Sequence, residues 1–90
     1  MGVKIKIQKN LQFLTNNVET IEIIGNTVGQ CIEQLIERFP EFENKLIKKD
    51  NTLLNTIGIF VNGKSVYPNE LIAPVKDGDE IFVFLIISGG

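Results

Sequence analysis

The chain has no histidine and no tryptophan, and only one cysteine. Without an imidazole, Ser-His and Cys-His nucleophile pairs are excluded. The lone Cys31 excludes an internal disulfide and any all-cysteine metal or iron–sulfur site. A basic excess is missing too: nine Lys and Arg stand against eleven Asp and Glu, for a formal charge of −2. The positive residues are scattered and no aromatic-interleaved basic stripe occurs, so a nucleic-acid partner is not expected. The longest apolar run, Ile81 to Ile87, is far short of the ~20 residues a membrane helix requires, and no membrane partner is expected. The opening "MGVKIKIQKN" alternates lysine with β-branched residues, unlike a secretory leader, and Lys6 stands where a myristoylation signal needs Ser or Thr. A soluble cytoplasmic protein is the expectation.

What is present is the composition of a globular domain. Hydrophobic residues make up 43% and charged residues 22%, too apolar for a disordered chain. Ninety residues suffice for one small core, so residues 1–90 are expected to form one domain, with a flexible tail at 88–90.

Val3, Ile5 and Ile7 alternate with Lys4, Lys6 and Gln8, which predicts a half-buried strand. Residues 10–17 break the pattern and read as a connection. Alternation returns at 19–24, so the first two strands should form a hairpin with Lys and Glu on its wet face. Val28, Cys31, Ile32, Leu35, Ile36 and Phe39 recur at helical spacing and predict an amphipathic helix of three turns. Thr27 and Gln30 form a capping-box pattern at its start, and Pro40 ends it. The weaker pattern of Phe42, Leu46 and Ile47 suggests one further helical turn. "IGIFVNGKSVY" (57–67) predicts a hairpin turning at Asn62-Gly63, with Pro68 confining its second arm to an edge. After the "KDGDE" turn (76–80), Ile81 to Ile87 is apolar on both faces, as suits a strand inside a sheet. The fold class expected is α+β, a mixed four- to five-stranded sheet wrapped over one main helix.

Few residues here carry chemistry. "GIFVNGKS" (58–65) matches the P-loop spelling G-x-x-x-x-G-K-[ST]. That motif needs a glycine-rich loop opening onto a helix N-terminus, whereas these middle residues form a strand and Pro68 follows. Cys31 lies on the apolar helix face and reads as a core thiol. The pairs Glu33/Glu37 and Glu41/Glu43 read as solvated surface. Asp77 and Asp79 flank Gly78 as turn residues, and no metal site is expected.

The terminal Gly89-Gly90 is different. An α-carboxylate has a reference pKa of roughly 3.5, so that of Gly90 is ionised at neutral pH. Without Cβ atoms the backbone can pass a narrow channel. Ser88 to Gly90 extended spans on the order of 10 Å, enough to carry a carboxylate into a partner's pocket.

"IFVNGKSV" (59–66), "LIAPVKDGDEIFVF" (71–84) and the final Gly-Gly, together with the helix opening Thr27-Val28 and Arg38-Phe39-Pro40 at its end, carry a family likeness across essentially the whole chain. The chain resembles the ubiquitin-like sulfur carriers of the MoaD/ThiS family, which includes the small subunit of molybdopterin synthase. The resemblance implies a β-grasp fold and a protein that is a co-substrate, not an enzyme. It implies that the Gly90 carboxylate is adenylated by a ubiquitin-activating-like enzyme of the MoeB/ThiF type and converted to a thiocarboxylate, with Gly89 and Ser88 as the thread. ATP and the sulfur source then belong to the activating partner, and the carrier holds no cofactor. The acceptor implied is an enzyme such as a molybdopterin synthase large subunit, in molybdenum or tungsten cofactor synthesis. Phe60, Phe84 and Ile86 are the expected partner contacts.

Many molybdopterin synthase small subunits carry Pro and Ala before Gly-Gly, where this chain has Leu85-Ile86-Ile87-Ser88. Thiamine, cysteine or tRNA thiolation therefore stay open as pathways. So do a protein modifier joined to lysines through Gly90 and a plain interaction domain with an inert tail.

Overall fold

The alternation at the start of the chain becomes β1 (Val3–Ile7), with Val3, Ile5 and Ile7 buried and both lysines exposed. In the computed structural model, which describes residues 2–50 and 52–86, it pairs antiparallel with β2 (Thr20–Ile23). Lys4 lies opposite Glu22 and Lys6 opposite Thr20, so the hairpin's wet face carries charge of both signs.

The residues between these strands are more structured than expected. Lys9–Thr15 forms a 3-10 helix that buries Leu11, Leu14 and Thr15. A pair of leucines three apart is too short a run to show a helical period, which is why the sequence reads as a connection. Asn16 and Asn17 then take φ of 54° and 69°, a left-handed turn that returns the chain to β2.

Helix α1 (Val28–Arg38) buries Val28, Cys31, Ile32 and Leu35. Thr27 Oγ1 accepts from the Gln30 N–H at 3.1 Å. The return arm of the cap is shifted by one residue from the expected box, because Gln30 Oε1 accepts from the Asn26 N–H at 2.8 Å. At the other end Pro40 opens a second 3-10 turn (Pro40–Phe42), followed by the four-residue α2 (Glu43–Leu46). Phe42 and Leu46 from these short pieces are fully buried.

Strands β3 (Ile57–Val61) and β4 (Lys64–Ser65) form the expected hairpin, with Asn62 at φ 51° and Gly63 at φ 82°. Two successive positive φ values are the primed turn that matches strand twist. "GIFVNGKS" is thus strand, turn and strand, with no helix N-terminus for a phosphate. The last strand, β5 (Glu80–Leu85), ends two residues before the expected boundary, with Ile86 outside it. The sheet order is β2-β1-β5-β3-β4. β5 lies parallel to β1 and antiparallel to β3, so the sheet is mixed. Its central place explains why its sequence is apolar on both faces.

One polar clamp joins the two turns. Asn62 Nδ2 donates to Asp79 Oδ1 at 3.0 Å, and Asn62 Oδ1 accepts from the Glu80 N–H at 3.0 Å. Asp79 Oδ2 accepts from the Lys76 N–H at 3.0 Å. These bonds, the Asn62 amide first, hold the Asp79 carboxyl below its ordinary value. A depressed carboxylate stabilises the fold above the unfolded pKa of about 4 and loses that contribution as pH falls through its folded value. Asn62→Ala should therefore lower Tm most near pH 6, and the gap to the native chain should narrow by pH 3. A gap independent of pH in thermal melts would assign the clamp no electrostatic role.

Candidate functional site

The odd-numbered residues of β5 face the helix: Ile81 and Val83 are fully buried in the core with Val3, Ile5, Ile59 and Leu35. The even-numbered residues therefore face away, onto a side of the sheet that none of the described helices covers. Register places Phe60 of β3 opposite Phe82 and Gly58 opposite Phe84. The rings of Phe60 and Phe84 meet edge to face at 4.9 Å, and Phe82 stacks on Phe84 at 5.4 Å. All three are half-buried. Gly58 is the platform: a Cβ there would lie 2.3 Å from the Phe84 ring, so only glycine lets the ring rest on the strand. Lys6 is in register with Phe82 across β1 and β5, which borders the aromatic strip with an ammonium.

Of the expected contacts, Phe60 and Phe84 are thus brought together. Ile86, at 46% exposure, is not part of the ring cluster. It lines a groove of about 580 Å³ with Leu54, Tyr67, Pro68 and Ile72, where Tyr67 and Ile72 are also exposed. Phe82 is the member that sequence missed. Its pairing with Phe60 depends on strand register, which no local pattern displays. Ser88, Gly89 and Gly90 lie outside the described residues.

The end of β5 is fixed from both flanks. The Leu85 N–H donates to Gln8 Oε1 at 2.7 Å, and the Ile86 N–H donates to the Thr56 carbonyl at 2.7 Å. The strip and the groove therefore meet at a point of defined position, four residues before Gly90.

The chemistry at hand is sparse. Cys31 is fully buried and burial pushes its thiol up, away from a thiolate. Both Asp79 oxygens face N–H donors in the turn clamp. Among the described residues no cluster of three or more His, Cys, Asp or Glu is placed to hold a metal, and no helix is long and apolar enough to cross a membrane.

Comparison with known proteins identifies the scaffold. The ThiS family model matches residues 6–90. A protein of Archaeoglobus fulgidus described as an inferred sulfur carrier is 31% identical, with the alignment covering 100% of both chains. Among solved structures, a chain of the Amycolatopsis orientalis BexX/CysO complex superposes with a TM-score of 0.87 at 29% identity, covering 99% of this chain and 100% of that one. The small archaeal modifier protein 1 of Methanosarcina acetivorans gives 0.86 at 25% identity, covering 98% and 95%. An inferred molybdopterin converting factor subunit 1 of Pyrococcus furiosus gives 0.68 at 27% identity, covering 94% and 97%.

Proposed function

Because this chain belongs to the ThiS family of ubiquitin-like sulfur carriers, we propose that its working group is the α-carboxylate of Gly90, loaded with sulfur by a partner enzyme. The observation that carries the proposal is the match of the family model through to Gly90. A half-buried aromatic strip and a pinned strand end, four residues upstream, give a partner something to grip.

The steps balance as follows. A carboxylate oxygen of Gly90 attacks the α-phosphorus of ATP, forming the acyl–phosphate bond as pyrophosphate leaves. Hydrosulfide, or an equivalent sulfide-level donor on the partner, attacks the acyl carbon, and AMP departs. The product is a thiocarboxylate. The activating enzyme is of the MoeB/ThiF type and supplies the ATP site. The carrier supplies a nucleophile on a thread and a surface that docks, which accounts for its lack of histidine and of accessible thiol. For the acceptor we favour a molybdopterin synthase large-subunit type of enzyme, on the "VNG" and "PVKDGDE" likeness and on the Pyrococcus furiosus neighbour.

Intact mass after incubation with ATP, sulfide and the cognate activating enzyme tests the carrier chemistry. A gain of about 16 Da, from replacing oxygen by sulfur, is expected on the C-terminal residue. A chain whose mass stays unchanged refutes it. The 25%-identical archaeal modifier supports a second use of the same activated end, and new lysine conjugates through Gly90 would show it.

Docking has its own expectation. Phe84→Ala should raise the KM of the activating enzyme for the carrier about tenfold or more, as for an aromatic interface anchor. The half-exposed ring is not part of the core, so thermal melts should show a folded protein. An unchanged KM would remove the strip from the docking surface.

A further inference from the structure

β1 and β5 run side by side until Ile7 pairs with Val83. The Gln8 N–H still donates to the Val83 carbonyl at 3.0 Å, and the backbone then turns away into the 3-10 segment. Leu85, the next residue of β5 with an amide on that side, has lost its neighbouring strand. The Gln8 side chain takes the strand's place: its Oε1 accepts the Leu85 N–H at 2.7 Å, between residues 77 apart in sequence. One residue thus bonds β5 twice, through its backbone to Val83 and through its side chain to Leu85. On the opposite flank, the Ile86 N–H is held by the Thr56 carbonyl at 2.7 Å.

Resting on the carrier reading, we propose that Gln8 is a positioning residue for the reaction at Gly90. Its amide oxygen fixes Leu85, the last residue of β5, from which the chain runs on to Gly90. With residues 85 and 86 pinned, Gly90 is tethered by four residues and reaches at most ~13–14 Å from Ile86. A carrier with a set tether origin keeps its carboxylate within a set reach of the docking strip, so docking and threading are satisfied together. Without Gln8 the strand end opens back toward Val83. Ordering of the freed residues then has to occur when the partner binds, where it opposes association. Gln8 lies outside the aromatic strip, so its effect runs through Leu85 and not through direct contact.

The chemistry of a seated carboxylate is untouched by this change, so the loss belongs in KM and not in kcat. In ATP–pyrophosphate exchange with the cognate activating enzyme, Gln8→Ala should raise the KM for the carrier about three- to tenfold, the size of one net hydrogen bond, with kcat unchanged. Gln8→Glu keeps an acceptor oxygen at the same reach and should return KM to within about twofold of the native value. Ile5→Val serves as the stability control, since it loosens the core without touching the end of β5 and should leave KM alone. Amide exchange at Leu85 should speed up in Gln8→Ala and not in Ile5→Val.

A native KM for Gln8→Ala overturns the proposal while leaving the carrier reading intact. So does an equal rise in Ile5→Val, which would reduce Gln8 to a contributor to stability. Failure of the native chain to be activated at all removes the carrier reading, and this role of Gln8 with it.

Discussion

A chain lacking Gly90 is expected to fold normally and to lose at least two orders of magnitude in activation. Deletion leaves a carboxylate on Gly89, chemically the same nucleophile but one residue short, or about 3.5 Å. In-line attack on a phosphoryl group demands reacting atoms within about 3–3.5 Å, and a misplacement of 1 Å alone costs on the order of 10²-fold. The strand end cannot make up the distance, because residues 85 and 86 are bonded to Gln8 and Thr56. Converting the Gly90 carboxylate to a carboxamide should be more severe, since the anionic oxygen that attacks phosphorus is gone. Both chains should melt at the native temperature, because Leu85 is the last of the described residues that packs on the buried cluster. Pyrophosphate exchange measures the loss directly, and thiocarboxylate in the mass spectrum measures its consequence. Native rates in the shortened chain would move the reacting group away from Gly90.

The largest effect on stability is expected far from that end, at Phe42. This residue has no exposed surface, yet it belongs to a 3-10 turn of three residues between Pro40 and α2. Its ring is the largest fully buried side chain in the core that α1 and the sheet share. Truncating a buried phenylalanine costs about 3–5 kcal/mol through lost transfer energy and the cavity left behind. A domain of this size is stable by roughly 5–13 kcal/mol, so Phe42→Ala should remove about a quarter or more of the total. Tm should fall by about 15 °C or more. An unfolding free energy within about 1 kcal/mol of native, at unchanged m-value, would mean that the neighbouring short elements collapse to refill the space. Because the aromatic strip lies on the other face of the sheet, folded Phe42→Ala should still dock at temperatures well below its Tm.

These two sites differ in how visible they are in the sequence. Gly90 is conspicuous because the sequence contrasts it with what precedes it: an apolar run ends, and two residues without side chains follow. Phe42 is inconspicuous because its neighbours are polar and its helical period is only one turn long. The same limit hid Leu11 and Leu14, whose 3-10 helix looked like a connection. Short elements bury residues by packing against distant strands, and local periodicity carries no record of that.

The aromatic strip lies between these cases. Its parity was legible, since Phe82, Phe84 and Ile86 alternate with Ile81, Val83 and Leu85. Which parity faced the helix was not, because both sets are apolar. Register against β3 settled it, by setting Gly58 under Phe84 and Phe60 beside Phe82. Ile86 lies outside the strip because β5 ends at Leu85, and it lines the groove with Tyr67 and Ile72.

The sequence by itself determined strands over 3–8, 19–24 and 57–61, each within a residue or so of the observed bounds, the helix from Val28 and the Asn62-Gly63 turn. These are local properties, decided by alternation, capping and the φ range of each residue. It also excluded histidine-paired nucleophiles and internal disulfides, because missing side chains cannot be supplied by folding. Only the tertiary structure decided that Asn62 clamps Asp79, that three phenylalanines form one half-buried strip and that Gln8 bonds Leu85. Each of these joins residues 17 to 77 positions apart or depends on strand register. The first two need the antiparallel pairing of β3 with β5, and the third needs the parallel pairing of β1 with β5, which brings residues from the two ends of the chain together.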